Sequence, residues 1–252
     1  MSRPRSETDT GLADSRAQSH VIGVVLLLGI TVVAMGTLTA SIGTVLDQNA
    51  AAADADRVAN DLDAALDPVE ATGRHRGRVS FTDGRLHTES RDVRLLEGLD
   101  GDRVAQRVRT DALVFEAGDQ RVAFVGGAIV RGTNGSATLR DPPLVTASRG
   151  EGGVLLVGAP RLGDPASVGG ERASLTVSTN VSHDRVSHGE GYWRVAIETE
   201  TPGAFERWFT ERGATVERRD IDGDGVTSVV ARFEGRRTAY LVVHDLRTEV
   251  ST

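Results

Sequence analysis

Two periodicities divide the chain. From Val21 to Leu46 the sequence VIGVVLLLGITVVAMGTLTASIGTVL holds no charged residue. About 20 apolar residues cross a hydrocarbon core, so this run predicts a transmembrane helix. The apolar part of a cleaved secretory signal is shorter, about 7–15 residues, and is followed by a small-residue cut site. Beyond Leu46 the spacing of Ala51, Ala55, Val58, Leu62 and Leu66 keeps an apolar stripe at helical period. It predicts a helical extension over 47–68, with Asp54, Asn60, Asp61 and Asp67 mostly on other faces, stopped by Pro68 and Gly73. A helix from Gln18 to Leu66 would be about 70 Å long at ~1.5 Å per residue.

After Gly73 the period changes to two. Arg78–Phe81 and Arg85–Thr88 flank Asp83-Gly84, a hairpin signal. Further strands are predicted at 112–116, 121–125, 128–131, 137–140 and 154–157, making a β-rich head over 74–158. Gly158–Gly170 is rich in Gly, Pro and Asp and reads as a linker. Past it, 175–179, 192–199, 215–221, 227–233 and 239–246 read as strands. Pro202–Arg212 reads as a helix with Phe205, Trp208 and Phe209 on one side, more suited to a core than to a ligand platform. The fold class is therefore α+β: a long N-terminal transmembrane helix, a β-rich head, and a small α+β unit over 171–252.

The flanks of the apolar run orient it. Arg3, Arg5 and Arg16 precede it, while Asp47, Asp54 and Asp56 follow it ahead of Arg57. Basic residues favour the cytoplasmic side, which puts the N-terminus inside and the head outside. Within the run Gly29, Gly36 and Gly43 recur every seventh residue and Ala40 completes a small-xxx-small pair with Gly36. Such a face lets helix backbones approach closely in lipid.

Composition narrows the functional classes. The chain carries 29 basic and 36 acidic residues, a net charge of -7. Nucleic-acid binding needs an electropositive face, so no nucleic-acid partner is expected. Every basic residue is Arg, which removes Lys-bearing phosphate loops, and there is no Cys, which removes disulfides, thiolate chemistry and thiolate metal sites.

Ser15-Arg16-Ala17-Gln18-Ser19-His20-Val21-Ile22-Gly23 resembles the start of archaeal type IV pilins. In that family a short polar leader precedes the apolar helix, and a prepilin peptidase cuts between the two on the cytoplasmic face. The resemblance implies a leader over 1–17, with Arg16 the basic position, Ala17 the small residue before the cut and Gln18 the new N-terminus. His20 stands where many haloarchaeal pilins have Pro, and no Glu lies near the mature start. Val125–Arg131, Asn134-Gly135-Ser136, Asp141-Pro142-Pro143 and Thr201–Val216 are similar to the head of an uncharacterised haloarchaeal pilin-like family. The all-Arg, Asp- and Ala-rich composition is in keeping with a GC-rich halophile.

Several patterns invite chemistry. Asp220, Asp222 and Asp224 alternate ahead of Gly225 like the first half of a calcium loop. The twelfth position is Ala231, where a bidentate Glu is needed, and Glu234 falls three residues late, so a polar turn and no metal is the expectation. Asn134 and Asn180 each begin an N-glycosylation sequon. Arg74-His75-Arg76-Gly77-Arg78 is a basic cluster that suits a solvated turn or a contact with lipid phosphates or acidic glycans. His183, Asp184, Ser187 and His188 are hydrolase residue types in what reads as a polar loop. There is no G-x-S-x-G and no H-E-x-x-H, so neither an enzyme nor a cofactor is expected. Two functional readings stand. One is a pilin-like surface protein with the membrane, a prepilin peptidase and other pilin subunits as partners. The other is a single-pass anchored binding or envelope module that never polymerises.

Overall fold

The computed structural model describes residues 12–100, 103–133, 136–148, 150 and 152–251, with side chains described from Gly23 onward apart from Pro68. The chain divides into two units, Met1–Asp47 and Gln48–Thr252. One helix, α1 (Leu12–Leu66), runs from the first unit into the second and ends in a 3-10 turn over Asp67–Glu70.

Among the described residues, the second unit is built on two sheets. Its strands are β1 (Gly73–Glu89), β2 (Asp92–Glu97), β3 (Arg103–Arg109), β4 (Ala112–Ala117), β5 (Gln120–Val125), β6 (Ala128–Thr133), β7 (Ser136–Asp141), β8 (Val145–Ala147), β9 (Gly153–Gly163), β10 (Ser167–Gly191), β11 (Trp193–Glu198), β12 (Thr215–Arg219), β13 (Ser228–Arg232) and β14 (Arg237–Ser251). A short helix, α2 (Pro202–Glu211), lies between β11 and β12. The larger sheet has nine strands in the order β7-β6-β5-β4-β1-β10-β14-β9-β8, and the smaller has five, β12-β13-β11-β2-β3. Pairing is antiparallel except between β14 and β9.

Alternation along the strands separates two cores. On β4, Leu113 and Phe115 join the helix-side cluster, while Ala112 and Val114 face the five-stranded sheet. The nine-stranded sheet is thus covered on one face by the C-terminal third of α1 and on the other by the smaller sheet. The stripe seen in the sequence is the docking face of that helix: Ala55, Val58 and Leu62 are fully buried and Leu66 nearly so. Phe205 and Phe209 of α2 are fully buried in the inter-sheet core, while Trp208 is half-buried under the Arg212 guanidinium, 4.0 Å above its ring.

The sequence reading of a hairpin at Asp83-Gly84 does not hold. β1 is one continuous strand, and Asp83 and Gly84 pair with Glu171 and Gly170 of β10 in unbroken register. Val79 and Phe81 face the helix, yet so does Leu86, so the inward face changes parity between them. Gly84 and Gly170 sit opposite each other with φ of +147° and +139°, a region open almost only to glycine. The paired glycines flip the pleat of both strands together, where the sequence pattern suggested a reversal.

The linker and the two-part head are corrected as well. Most of Gly158–Gly170 is strand, in β9 and the start of β10. The segments 74–158 and 171–252 also interleave. β2 and β3 from the first join β11, β12 and β13 in the small sheet, while β10 and β14 from the second lie inside the large one.

β1 pairs with β4 only through Arg85–Glu89, so residues ahead of Gly84 present an open edge on that side. Two helix carboxylates close its C-terminal part. Asp54 accepts from the Thr82 amide at 2.7 Å, the Thr82 hydroxyl at 3.1 Å and the Asp83 amide at 3.1 Å; Asp61 accepts from the Ser80 amide at 2.9 Å. Asp54, off the apolar stripe, is nonetheless only 3% exposed. Gly77 lets helix and strand touch, since a Cβ there would stand 2.2 Å from that of Ala65.

Burying each Val or Leu of the stripe contributes about 1.5–3 kcal/mol, so the apolar face supplies most of the docking energy. The carboxylates fix where along β1 the helix sits. Asp54→Ala leaves three donors without their acceptor, at about 1–3 kcal/mol each for those kept from water. Thermal unfolding of the full chain in neutral detergent should show a Tm lowered by about 5–10 °C, whereas Asp54→Asn, which keeps one acceptor oxygen, should lose less.

Candidate functional site

Three regions hold the residues singled out in the sequence. The first is the apolar part of α1. Gly23–Leu66 is long and apolar enough to cross a membrane, and its most apolar stretch is not buried. Leu27 is 71% exposed and even Ile42 is 52% exposed. Five hydroxyls interrupt this surface, and all five bond back to the helix. Thr31 donates to the Leu27 carbonyl at 2.7 Å, Thr37 to Ala34 at 2.9 Å, Thr39 to Met35 at 2.9 Å, Ser41 to Thr37 at 2.8 Å and Thr44 to Ser41 at 2.9 Å. With no water in a bilayer core, such back-bonding satisfies each hydroxyl internally. A Cβ placed at Gly29, Gly36 or Gly43 would meet nothing within 4 Å, and Ala40 is exposed beside them. Arg16, Ala17 and Gln18 have helical backbone, and their side chains lie outside the described residues.

The second region is the outer face of the five-stranded sheet. On β2, Val93 and Leu95 point into the inter-sheet core, which turns Asp92, Arg94 and Leu96 outward. Arg94 is nonetheless only 1% exposed. Its guanidinium bonds Asp92 at 2.7 Å and Asp222 at 2.6 Å and is ion-paired with Glu198; Arg107 reaches Asp92 at 2.5 Å and Asp222 at 3.3 Å. Glu198 also accepts from the Asp92 amide at 2.8 Å. Burial pushes the Glu198 carboxyl up, and the Asp92 charge adds to this against the pull of Arg94. The hydrogen bond to Asp92 raises Arg107.

Asp222 comes from the segment read as a failed calcium loop. The oxygens of Asp220, Asp222 and Asp224 lie within 4.8 Å of one another, as do those of Asp92, Glu198 and Asp222. Each carboxylate of the loop already has a protein partner. Asp220 accepts from the amides of Gly223 at 2.9 Å and Gly225 at 3.1 Å, Asp224 accepts from Val226 at 2.8 Å, and Asp222 binds Arg94. A guanidinium stands among the second trio. The loop therefore uses its aspartates to shape a turn and seal a buried arginine. The signal for this network was the Asp92-x-Arg94 pair, two opposite charges on one face of a strand.

The third region is the part of the nine-stranded sheet around β1, β10 and β14. Arg74, Arg76 and Arg78 alternate there as part of β1, not as a turn. Asn180 is exposed on β10 directly opposite Arg74, while Asn134 lies outside the described residues. His183, Asp184, Ser187 and His188 belong to β10 rather than to a loop, and the structure separates them. His183 packs edge-on against His244, with ring centroids 4.9 Å apart. His188 bonds Gln106 at 2.7 Å. Burial and the neighbouring His183 hold the His244 imidazole below its ordinary value. A cavity of about 500 Å³ is bordered by Asp63, Asp67, Asp141, Thr146, Trp208 and His244. Burial there raises the Asp141 carboxyl, helped by Asp63 and Asp67.

A family model described as a family of unknown function, DUF7289, matches residues 16–249. No curated protein and no solved structure matches.

The Arg94 network predicts how the aspartate loop responds to metal. Calcium and chelator should give the same unfolding curve for the full chain. Asp222→Ala should lower stability by about 1–3 kcal/mol in either condition, because it strips a partner from a buried guanidinium. A gain of about 2.7 kcal/mol with calcium at a hundred times its dissociation constant, lost in Asp222→Ala, would show that the loop holds metal after all.

Proposed function

Because the chain belongs to this family of unknown function, DUF7289, we propose that its own physics defines it as a type IV pilin-like surface protein. The apolar helix anchors it in the membrane, a prepilin peptidase removes residues 1–17, and the helices of neighbouring subunits pack through the Gly29/Gly36/Ala40/Gly43 face. The head lies outside the cell, and the protein serves adhesion or surface contact without catalysing a reaction. Its source is a halophilic archaeon.

One observation carries this reading. The chain keeps an exposed apolar helix whose hydroxyls are internally satisfied and whose glycines have open space around them. Lipid offers no hydrophobic drive between helices, so close backbone approach has to supply attraction, and a row of small residues is suited to it. Cutting ahead of the helix leaves that segment on the mature protein. The non-catalytic reading rests on the dispersal of His183 and His188 among structural contacts.

Gly36→Leu separates anchoring from assembly, since it keeps the segment apolar and adds bulk on the proposed face. In cells, membrane abundance of the variant should match wild type, while its recovery in sheared filaments or cross-linked oligomers should fall at least tenfold. Intact mass of the membrane-extracted wild type should correspond to a chain beginning at Gln18. If wild type yields neither filament nor oligomer and retains its leader, the protein is an anchored module. Equal assembly by the variant would remove the glycine face from the account.

A further inference from the structure

The arginines of this protein are generally matched. Arg121 bonds Glu89 at 2.7 Å and Glu116 at 2.5 Å, Arg194 bonds Glu217 at 2.8 Å, and Arg218 holds Glu206 through two contacts at 2.5 and 2.7 Å. Arg74, Arg76 and Arg78 break the pattern. All three are exposed, and among the described residues none forms an ion pair or a side-chain hydrogen bond. Arg161, Arg172 and Arg232 also lack such a partner, but only on β1 do three exposed, unmatched guanidinium groups alternate along one strand, in a chain of net charge -7.

Their arrangement follows from the register. Val79 and Phe81 face the helix-side core, so Arg74, Arg76 and Arg78 alternate onto the opposite face, while the hydroxyls of Ser80 and Thr82 reach helix carboxylates at the strand edge. Alternate residues of a strand are about 7 Å apart, which spreads the three charges over about 13 Å in a line. Opposite them on β10 stand Asn180, Ser178 and Thr176, in that order. Arg74, Arg76, Ser178, Asn180, Arg247 and Glu249 border a shallow groove of about 340 Å³.

We propose that this stripe is a binding site for an acidic polysaccharide. A row of guanidinium groups recognises regularly spaced carboxylates or sulfates, and the parallel row of amide and hydroxyl groups about 4.8 Å away suits sugar hydroxyls. Single-stranded nucleic acid would call for aromatic stacking platforms beside the charges, and the groove has none apart from the His75 imidazole, which is bonded to the Ala71 carbonyl at 2.9 Å. A headgroup layer would be met by charge alone and has no use for the neutral ladder. The inference does not depend on assembly, and the biological meaning alone rests on the head being outside the cell.

The test uses the full chain in nanodiscs of zwitterionic lipid. Polygalacturonate should bind at low ionic strength and weaken as salt rises, while dextran should not bind. The triple variant Arg74→Ser/Arg76→Ser/Arg78→Ser should lose at least tenfold in affinity with an unchanged Tm. The single reversal Arg76→Glu should also weaken binding, and Arg103→Ser, an exposed arginine outside the stripe, should not. Absence of polygalacturonate binding overturns the proposal, as does an equal loss in Arg103→Ser. Binding of single-stranded DNA or phosphatidylglycerol vesicles as tight as that of the polyuronate overturns it in favour of another anion. Failure here leaves the Gly36→Leu result untouched, so the two readings fail separately.

Discussion

The unpaired N–H groups of a sheet edge must be satisfied, and β1 leaves such an edge on one side from Gly73 to Gly84. Asp54 and Asp61 of α1 satisfy its C-terminal part, with acceptors 2.7–3.1 Å from the Ser80, Thr82 and Asp83 amides. An open strand edge is a template for another chain, and here the protein's own helix occupies it. Apolar burial holds the helix down and would tolerate sliding. The carboxylates do not, because a shift along β1 would strand both the buried Asp54 and the donors it serves. Register of the helix on the sheet follows from that constraint, and so do the close Gly77–Ala65 approach and the packing of Leu62 and Leu66.

The glycine pair at Gly84 and Gly170 is the second constraint. By reversing which side of β1 and β10 faces the helix, it lets Leu86 pack with Phe115 on the helix side. His87 and Glu89, on the other side, then meet each other and Arg91, with contacts of 3.1 and 2.6 Å. Burial alone would push the Glu89 carboxyl up, but Arg121, Arg91 and His87 outweigh it and hold the group below the ordinary carboxylate range. Ahead of the pair, the face away from the helix carries Arg74, Arg76 and Arg78. One backbone feature thus marks the passage from an exposed basic stripe to a part-buried ion network.

Much of this was legible in the sequence, for physical reasons that differ by element. The apolar run and the stripe from Ala55 to Leu66 depend only on local periodicity, and both appear as read. The same holds for β4, β5 and β6, short apolar runs bounded by turn residues, and for α2 with its aromatic stripe at helical spacing. Asp83-Gly84 misled because turn chemistry and a mid-strand pleat flip use the same residue, and only a partner glycine a long way along the chain distinguishes them. The 25-residue β10 was hidden by its polar outward face, Ser, Thr, Asn and His in alternation. Interleaving of the two halves was invisible, because strand order is a property of pairing. At the site level, the use of the Asp220–Asp224 loop as a cover for Arg94 needed the fold. Asp54 was read only as lying off the apolar stripe, because a helical wheel does not show where a sheet edge lies.

The central claim is that α1 completes an open strand edge through Asp54. Amide hydrogen exchange of Ser80 and Thr82 measures it most directly, residue by residue, in the full chain. In wild type both amides should exchange as slowly as the paired β1 amides of Val79 and Phe81. In Asp54→Ala, Thr82 should become fast while Val79 and Phe81 stay protected by β10, and Ser80, which is held by Asp61, should change less. Fast exchange at Ser80 and Thr82 in the wild type would contradict the account.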